Sequence, residues 1–553
     1  MTPGQRPSRA AARSVAGAAG LIAVVTLVTR VVGFARWLVF SSHVGATCVG
    51  TVYSSANLLP NVLFEVAMGG ALAAVVVPLV AGRLGQGDRA GADAAASALL
   101  TWALAVLAPL GVLLWLAAPW FAGVLLEQGD CTGATDLAAT FLRVFAVQIP
   151  LYGLGIVLAG VLQAHRRFFM AALAPLLSSL VVIASYLWFG AIAEGGQDDL
   201  ARLPDDASAV LAWGTTAGVL ALSLPLLVPV ARAGVRLRPR LRFPDDAARA
   251  ALSLAGAGVL ALLAQQAAVL GTMLLSNHEG GRGAINVYQY VQAVYVLPYA
   301  VLAVPVATSV YPRLAEAAQG GRARHQPQAQ AALSGSLRAT VLAMLAGAAA
   351  LVAAAGPVAQ VFARLGLGSD VVTAAMPVAL ATFAPGLVGF GVTALLSRAL
   401  YAAGAARPAA AWQAAGWLVA IGVPAVALLL VDGDVRTTLL WLGIGSSVGM
   451  TVGGAGLTAA VARVWGPGSL AGLGRLLLVA LPIAVVVGLT GWLLLGSWSP
   501  ASLAVVLGGG AAAGLIGLAL VIGAGALADP VALQRLSRRG PASATAPTEE
   551  VDG

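Results

Sequence analysis

Two arginines six residues apart, Arg30 and Arg36, interrupt an apolar stretch near the start of a 553-residue chain. An arginine at mid-membrane costs at least about 2.5–3.5 kcal/mol on insertion scales, so such a residue faces a polar cavity and marks a site. Guanidinium forks match phosphate oxygens, which makes anion binding the chemistry they suit. On a helix the pair stands about 9 Å apart along the axis and about 120° apart around it. They can therefore line one wide cavity but not one narrow stripe. The alternative is that Arg36 reaches the outer headgroups and Arg30 pairs with Glu65, the one acid well inside an apolar run. Glu65 reads as that counter-ion, as a proton or cation site, or as a structural residue. Arg143, near the outer end of its run, reads as a snorkelling side chain.

Other polar residues are open to two readings. Gln265, Gln266, Asn286, Gln289 and Gln292 either line a cavity or hydrogen-bond between helices. Pro60, Pro298 and Pro305 free backbone carbonyls and permit bending within apolar runs. The four histidines lie at four separate loops, so no metal cluster is expected. A Gly-x-x-x-x-Gly-Lys loop is missing, and all 31 basic residues are Arg. No cofactor and no enzymatic activity are expected, and ATP is not hydrolysed on this chain. Transport then relies on an ion gradient, the membrane potential or the substrate's own gradient. Cys48 and Cys131, the only cysteines, both fall in exterior loops, which makes a Cys48–Cys131 disulfide a candidate.

The elements that position these residues follow from composition. Hydrophobic residues make up 59% of the chain and charged residues 10%, with mean hydropathy +0.91. An average soluble domain is roughly 25% charged, so a soluble enzyme, a disulfide scaffold and a disordered chain are excluded. The apolar runs are long and continuous, unlike the short alternating strands of a barrel. They predict an all-α polytopic membrane protein of fourteen spans, at 15–42, 51–82, 94–122, 137–163, 168–193, 208–231, 247–276, 283–314, 330–355, 371–403, 408–431, 437–463, 470–496 and 500–528. No cleavage site follows the first run, which reads as a retained helix rather than a signal peptide. Termini and alternate loops on one side hold 24 of the 31 Arg, whereas the opposite loops hold Arg202, Arg282, Arg364 and Arg436 beside most of the acids. The rule that positive loops stay inside puts both termini in the cytoplasm. The net charge of +9 thus belongs to the membrane surface, and no nucleic-acid partner is expected.

An internal repeat organises the spans. Pro78 near the end of segment 2 matches Pro312 in segment 8 at an offset of 234, and Gly153 and Gly155 match Gly389 and Gly391 at 236. Six spans separate the copies, so the repeat is parallel, about an axis along the membrane normal. The expected organisation is a cytoplasmic tail (1–14), an N-lobe (15–231), a basic linker (232–246), a C-lobe (247–463), two added helices (464–528) and a disordered tail (529–553).

Thr26-Leu-Val-Thr-Arg30-Val-Val-Gly33-Phe34-Ala-Arg36 resembles the first helix of the MurJ (MviN) lipid II flippases, and Asn57-Leu-Leu-Pro60-Asn61 resembles part of the second. Gly160-Val-Leu-Gln-Ala-His-Arg-Arg-Phe168 is similar to their fourth loop. Tyr288-Gln-Tyr through Pro298 to Tyr311-Pro312-Arg313-Leu314 is similar to the eighth helix, and Ser397-Arg-Ala-Leu-Tyr401 to the end of the tenth. The Lys-free, Ala/Gly/Arg-rich composition resembles that of a high-GC actinobacterium. The resemblance implies a member of the multidrug/oligosaccharidyl-lipid/polysaccharide exporter superfamily in the cytoplasmic membrane. Its two lobes alternate access around a cationic cavity, and its last two helices form a lipid-tail groove. The implied substrate is lipid II, an undecaprenyl-pyrophosphate-linked peptidoglycan unit, with membrane lipids and cell-wall synthesis proteins as further partners. The resemblance assigns Arg30 and Arg36 to that cavity, and Glu65, Asn57, Asn61, Gln289 and Gln292 complete the candidate substrate-binding set. Thr51, Phe64-Glu65, Gly69 and Thr272 depart from charged residues common in the family, leaving a less cationic cavity. A flippase for another polyprenyl-linked glycan, a cation-coupled exporter and a non-transporting scaffold for cell-wall enzymes are the competing readings.

Overall fold

Apolar runs in a low-dielectric layer must satisfy their own backbone groups, and the chain does so with helices throughout. The computed structural model describes residues 9–126, 131–242, 247–318, 326–496 and 498–528, and no strand occurs among them. The first lobe contains α1 (Arg9–His43), α2 (Cys48–Phe64), α3 (Gly70–Gly85), α4 (Arg89–Leu125), α5 (Ala134–Phe145), α6 (Gln148–Ala164), α7 (Phe168–Ile192), α8 (Asp205–Ser223) and α9 (Leu227–Arg232). The second contains α10 (Ala247–His278), α11 (Ala284–Pro298), α12 (Val304–Ala318), α13 (Pro327–Leu365), α14 (Ser369–Phe383), α15 (Gly386–Ala402), α16 (Ala406–Leu428) and α17 (Val435–Trp465). Two further helices, α18 (Leu473–Leu495) and α19 (Leu503–Ala528), pack against α13.

Among the described residues 12 helices are long and apolar enough to cross a membrane, or 13 with α14 and α15 as one span bent by 47°. The expected count was fourteen. The stretch that accounts for the difference is segment 2, which is helical from Cys48 but broken after Phe64 into shorter pieces. Helix α1 starts at Arg9, inside the stretch expected to be a tail. Residues 529–553 and 243–246 of the linker lie outside the described residues.

The breaks repeat as the sequence repeat does. A π-helical turn, Glu65–Gly69, joins α2 to α3, and a second, Tyr299–Ala303, joins α11 to α12. Their starts are 299 − 65 = 234 residues apart, the same offset as Pro78 and Pro312. Pro298 stands immediately before the second turn, where its missing N–H removes a helical bond. Leucines face outward along the last helices, Leu478 at 80% and Leu527 at 89% exposure, as a lipid-facing surface requires.

Candidate functional site

The cavity is built from a helical stripe. Thr26, Thr29, Arg30, Gly33 and Trp37 recur at helical spacing on α1 and line one wall of a space of about 660 Å³. Ala172, Pro175 and Ser179 of α7 form a second wall. The third, from the other lobe, is Gln289, Gln292, Ala293, Val296 and Leu297 of α11 with Ala300 of the π turn. Arg30 is exposed to this space, and no ion pair or hydrogen bond holds its guanidinium among the described residues. Such an arrangement offers free donors to an anion within a mostly apolar enclosure.

Gln289 and Gln292 also line a smaller space of about 270 Å³ inside the second lobe, with Thr272, Tyr288 and Tyr295. They form a polar partition between the two spaces. Gln292 donates to the Tyr288 hydroxyl at 3.1 Å, and Gln289 accepts from Ser54 at 3.1 Å.

Other expected site residues are elsewhere. Arg36 is not part of the cavity wall; its guanidinium sits 5.6 Å from the centre of the Trp37 ring. The 120° turn between the two arginines sends them to different neighbours. Glu65 opens the first π turn, forms no ion pair with Arg30, and is half-buried without a hydrogen-bond partner, so the counter-ion reading does not hold in this structure. Asn61 is exposed and outside the cavity, while the Asn57 Oδ1 atom is buried and unpartnered. The spacing of Thr29, Gly33 and Trp37, which share a helical face with Arg30, is the sequence signal that marks them.

Beyond the Trp37 end of the cavity the lobes are sealed together. The starts of α2 and α11 interlock: Asn286 donates to the Gly50 carbonyl at 2.9 Å and to Ser54 at 2.8 Å, and the Gly283 N–H donates to Thr51 at 2.8 Å. Asn286 therefore fulfils the interhelical reading, not the cavity reading. Asn277 of α10 donates to Ser55 and to the Leu125 carbonyl, each at 2.8 Å. Under these bonds lies an aromatic plug in which Phe40 packs on Tyr53, Tyr186 and Tyr290, and Tyr290 stacks on Phe362 at 4.8 Å. Gly45, at φ +75°, passes so close to Leu367 that a Cβ there would collide with it. Arg282 bridges Asp198 of the first lobe at 2.9 Å and Asp370 of the second at 3.0 Å. Cys48 and Cys131 are joined, tying the start of α2 to the loop before α5, with Cα atoms 5.6 Å apart.

The architecture defines the class. An inward-facing multidrug resistance MATE family transporter of the MOP superfamily superposes with a TM-score of 0.63 at 17% identity, over 80% of this chain and 98% of that one. A lipid II flippase MurJ in an inward closed conformation gives 0.67, also at 17% identity, over 90% of this chain and 98% of the other. The chain shares the fold of these two proteins.

Within that fold the chain belongs to the MurJ family, because the family model described as lipid II flippase MurJ matches residues 40–507. A probable lipid II flippase MurJ of Rhizobium meliloti (strain 1021) is 28% identical over 372 residues, 66% of each chain. One from Synechocystis is 32% identical over 238 residues, 43% of this chain and 44% of that protein. The lipid II flippase MurJ of Burkholderia cenocepacia is 27% identical over 389 residues, 68% of this chain and 71% of that protein. The chain thus spans just under two thirds of the Rhizobium meliloti relative's length and less than half of the Synechocystis relative's.

Proposed function

We propose that this chain moves lipid II from the inner to the outer leaflet of the cytoplasmic membrane by alternating access. The observation that carries the reading is the free Arg30 guanidinium in the inter-lobe cavity. A pyrophosphate supplies paired oxygens for that fork, while Gln289 and Gln292 offer amides to the attached sugars. The Arg-rich loops and both termini face the cytoplasm in this reading. The sealed Cys48 face is then exterior, and the structure corresponds to a state closed to the outside. An inside-negative potential contributes about 2.3 kcal/mol per elementary charge per 100 mV, favouring outward passage of a net anion.

The test is outer-leaflet lipid II in cells depleted of their own flippase and expressing this chain. Export is expected with the wild-type sequence and its loss with Arg30→Ala, at equal amounts of inserted protein. Wild-type export by the Ala variant would remove Arg30 from the site. Another polyprenyl-linked glycan becomes the substrate if the inserted wild-type chain exports no lipid II. The unpaired Glu65 favours a second reading, a cation-coupled exporter, which requires efflux that follows a sodium or proton gradient. Docking of cell-wall synthesis proteins on the cytoplasmic face belongs to the same proposal and is tested by co-purification from membranes.

A further inference from the structure

Between the lobes the chain does not wander. Residues 235–241 run extended along α4, with no helix or turn assigned. Asp93, Ser97 and Thr101, each four residues on, face this strap. Asp93 accepts the Arg236 N–H at 3.2 Å, Ser97 accepts the Arg238 N–H at 3.1 Å, and Thr101 accepts the Arg240 N–H at 3.0 Å. Ser97 also donates to the Arg236 carbonyl at 3.4 Å, and the Trp102 indole N–H closes the series on the Leu241 carbonyl at 2.8 Å. The periods match: four helical residues rise about 6 Å, and two extended residues about 6.6 Å.

In an extended chain alternate side chains share a face. Val235 is buried and Leu237 is half-buried against the core, whereas Arg236, Arg238, Arg240 and Arg242 are exposed, as are Pro239 and Leu241 toward the end of the strap. The strap from Ala233 to Arg242 contains no acid; Asp93 meets its main chain, and Asp245 and Asp246 follow in sequence. With 37 residues, α4 is about 55 Å long against an apolar layer of about 30 Å. Its far end lies at the sealed face, so its first turns, where the strap is fastened, stand in and beyond the headgroup zone. The strap runs parallel to α4 and therefore descends toward the bilayer, reaching it where the half-exposed Trp102 occupies the depth that interfacial indoles favour.

We infer that this arginine ladder is a binding site for the phosphodiester headgroups of anionic glycerophospholipids in the cytoplasmic leaflet. Basic clusters at the cytoplasmic end of a span are drawn to anionic lipid, and guanidinium forks fit phosphate oxygens. The main chain is already fixed by its bonds to α4, so little ordering is lost when the headgroups bind. The site is separate from the Arg30 cavity and does not depend on what that cavity carries.

The experiment uses the full chain in mixed micelles of phosphatidylglycerol and phosphatidylcholine, with retained lipids counted by native mass spectrometry. The wild-type chain is expected to retain phosphatidylglycerol preferentially. The variant R236Q/R238Q/R240Q/R242Q is expected to lose that preference by about five-fold per arginine replaced. A variant with the same charge change elsewhere on the Arg-rich side, R313Q/R407Q/R463Q/R475Q, is expected to keep most of it. The double variant S97A/T101V retains every arginine but removes two pins, and is expected to fall between the two. Equal losses in both quadruple variants, or a wild-type preference in the strap or the pin variant, would overturn the site. So would retention of RNA or an acidic protein by the strap with no preference among lipids.

Discussion

The two helices broken by π turns, α2–α3 and α11–α12, occupy equivalent places in the two lobes yet differ in what they carry. Glu65, half-buried and unpaired, opens the first turn; Tyr299 opens the second and packs on Phe390 at 4.3 Å. Their upper halves are bonded to one another through Asn286, Ser54, Thr51 and Gln289. Below, they part: α3 packs along α10, whereas the α11–α12 limb faces the Arg30 cavity. Symmetry thus repeats the break, and departures from it decide which broken helix lines the Arg30 cavity. The lesson is that the repeat fixes where the helices break, while of the two broken helices only α11 and its π turn line the cavity into which Arg30 of α1 opens.

The sharpest way to break this comparison is to stop the upper halves from parting. Cysteines at Ser54 and Gln289, in a chain carrying Cys48→Ser and Cys131→Ser, should abolish outer-leaflet lipid II once joined by a short bismaleimide. Unimpaired export by the crosslinked protein would mean that the seal never opens. Next in size is the covalent tie of the first lobe. Replacing both native cysteines by serine opens a loop with a sequence separation of 83 and should cost about 2–4 kcal/mol, read as a lower thermal midpoint. An unchanged midpoint would make the bridge incidental to the sealed face.

Asn286→Ala strands buried partners on α2 and should weaken the seal by about 1–3 kcal/mol. Faster labelling of a cysteine placed at Tyr290 would report it, and labelling at the wild-type rate would remove Asn286 from the seal. The mildest effect is expected at the first π turn. Glu65 has no partner to lose, so Glu65→Gln should keep lipid II export within a few-fold of wild type. Complete loss would transfer weight to a carboxylate-coupled exporter.

Much of this fold was legible because apolar runs and Arg-rich loops are coarse signals that one residue cannot disturb. Pro78 and Pro312 already disclosed the repeat that the π turns follow. The turns themselves were not legible, since they depend on how helices pack at Glu65 and Tyr299 rather than on local propensity. At the site, Arg30 could be chosen for its cost in a membrane. The fate of Arg36 could not, because a position 120° around a helix acquires meaning only from what stands beside it. Asn286 and Gln289 looked alike in sequence, three residues apart on one helix. Depth separated them, the first ending in the seal and the second at the border of both seal and cavity.

Arg282 has one anionic partner on each side of the lobe boundary. Under the proposed alternating access, parting the lobes at this face separates Arg282 from Asp198 while Asp370 stays beside it, and the half-exposed Asp198 carboxylate is left to solvent. The latch then opens through an exposed pair, which dissolved ions screen over about 8 Å at physiological ionic strength. In the proposed orientation that face meets the medium outside the cell, whose salt concentration should then set how firmly this latch holds without touching the Arg30 cavity.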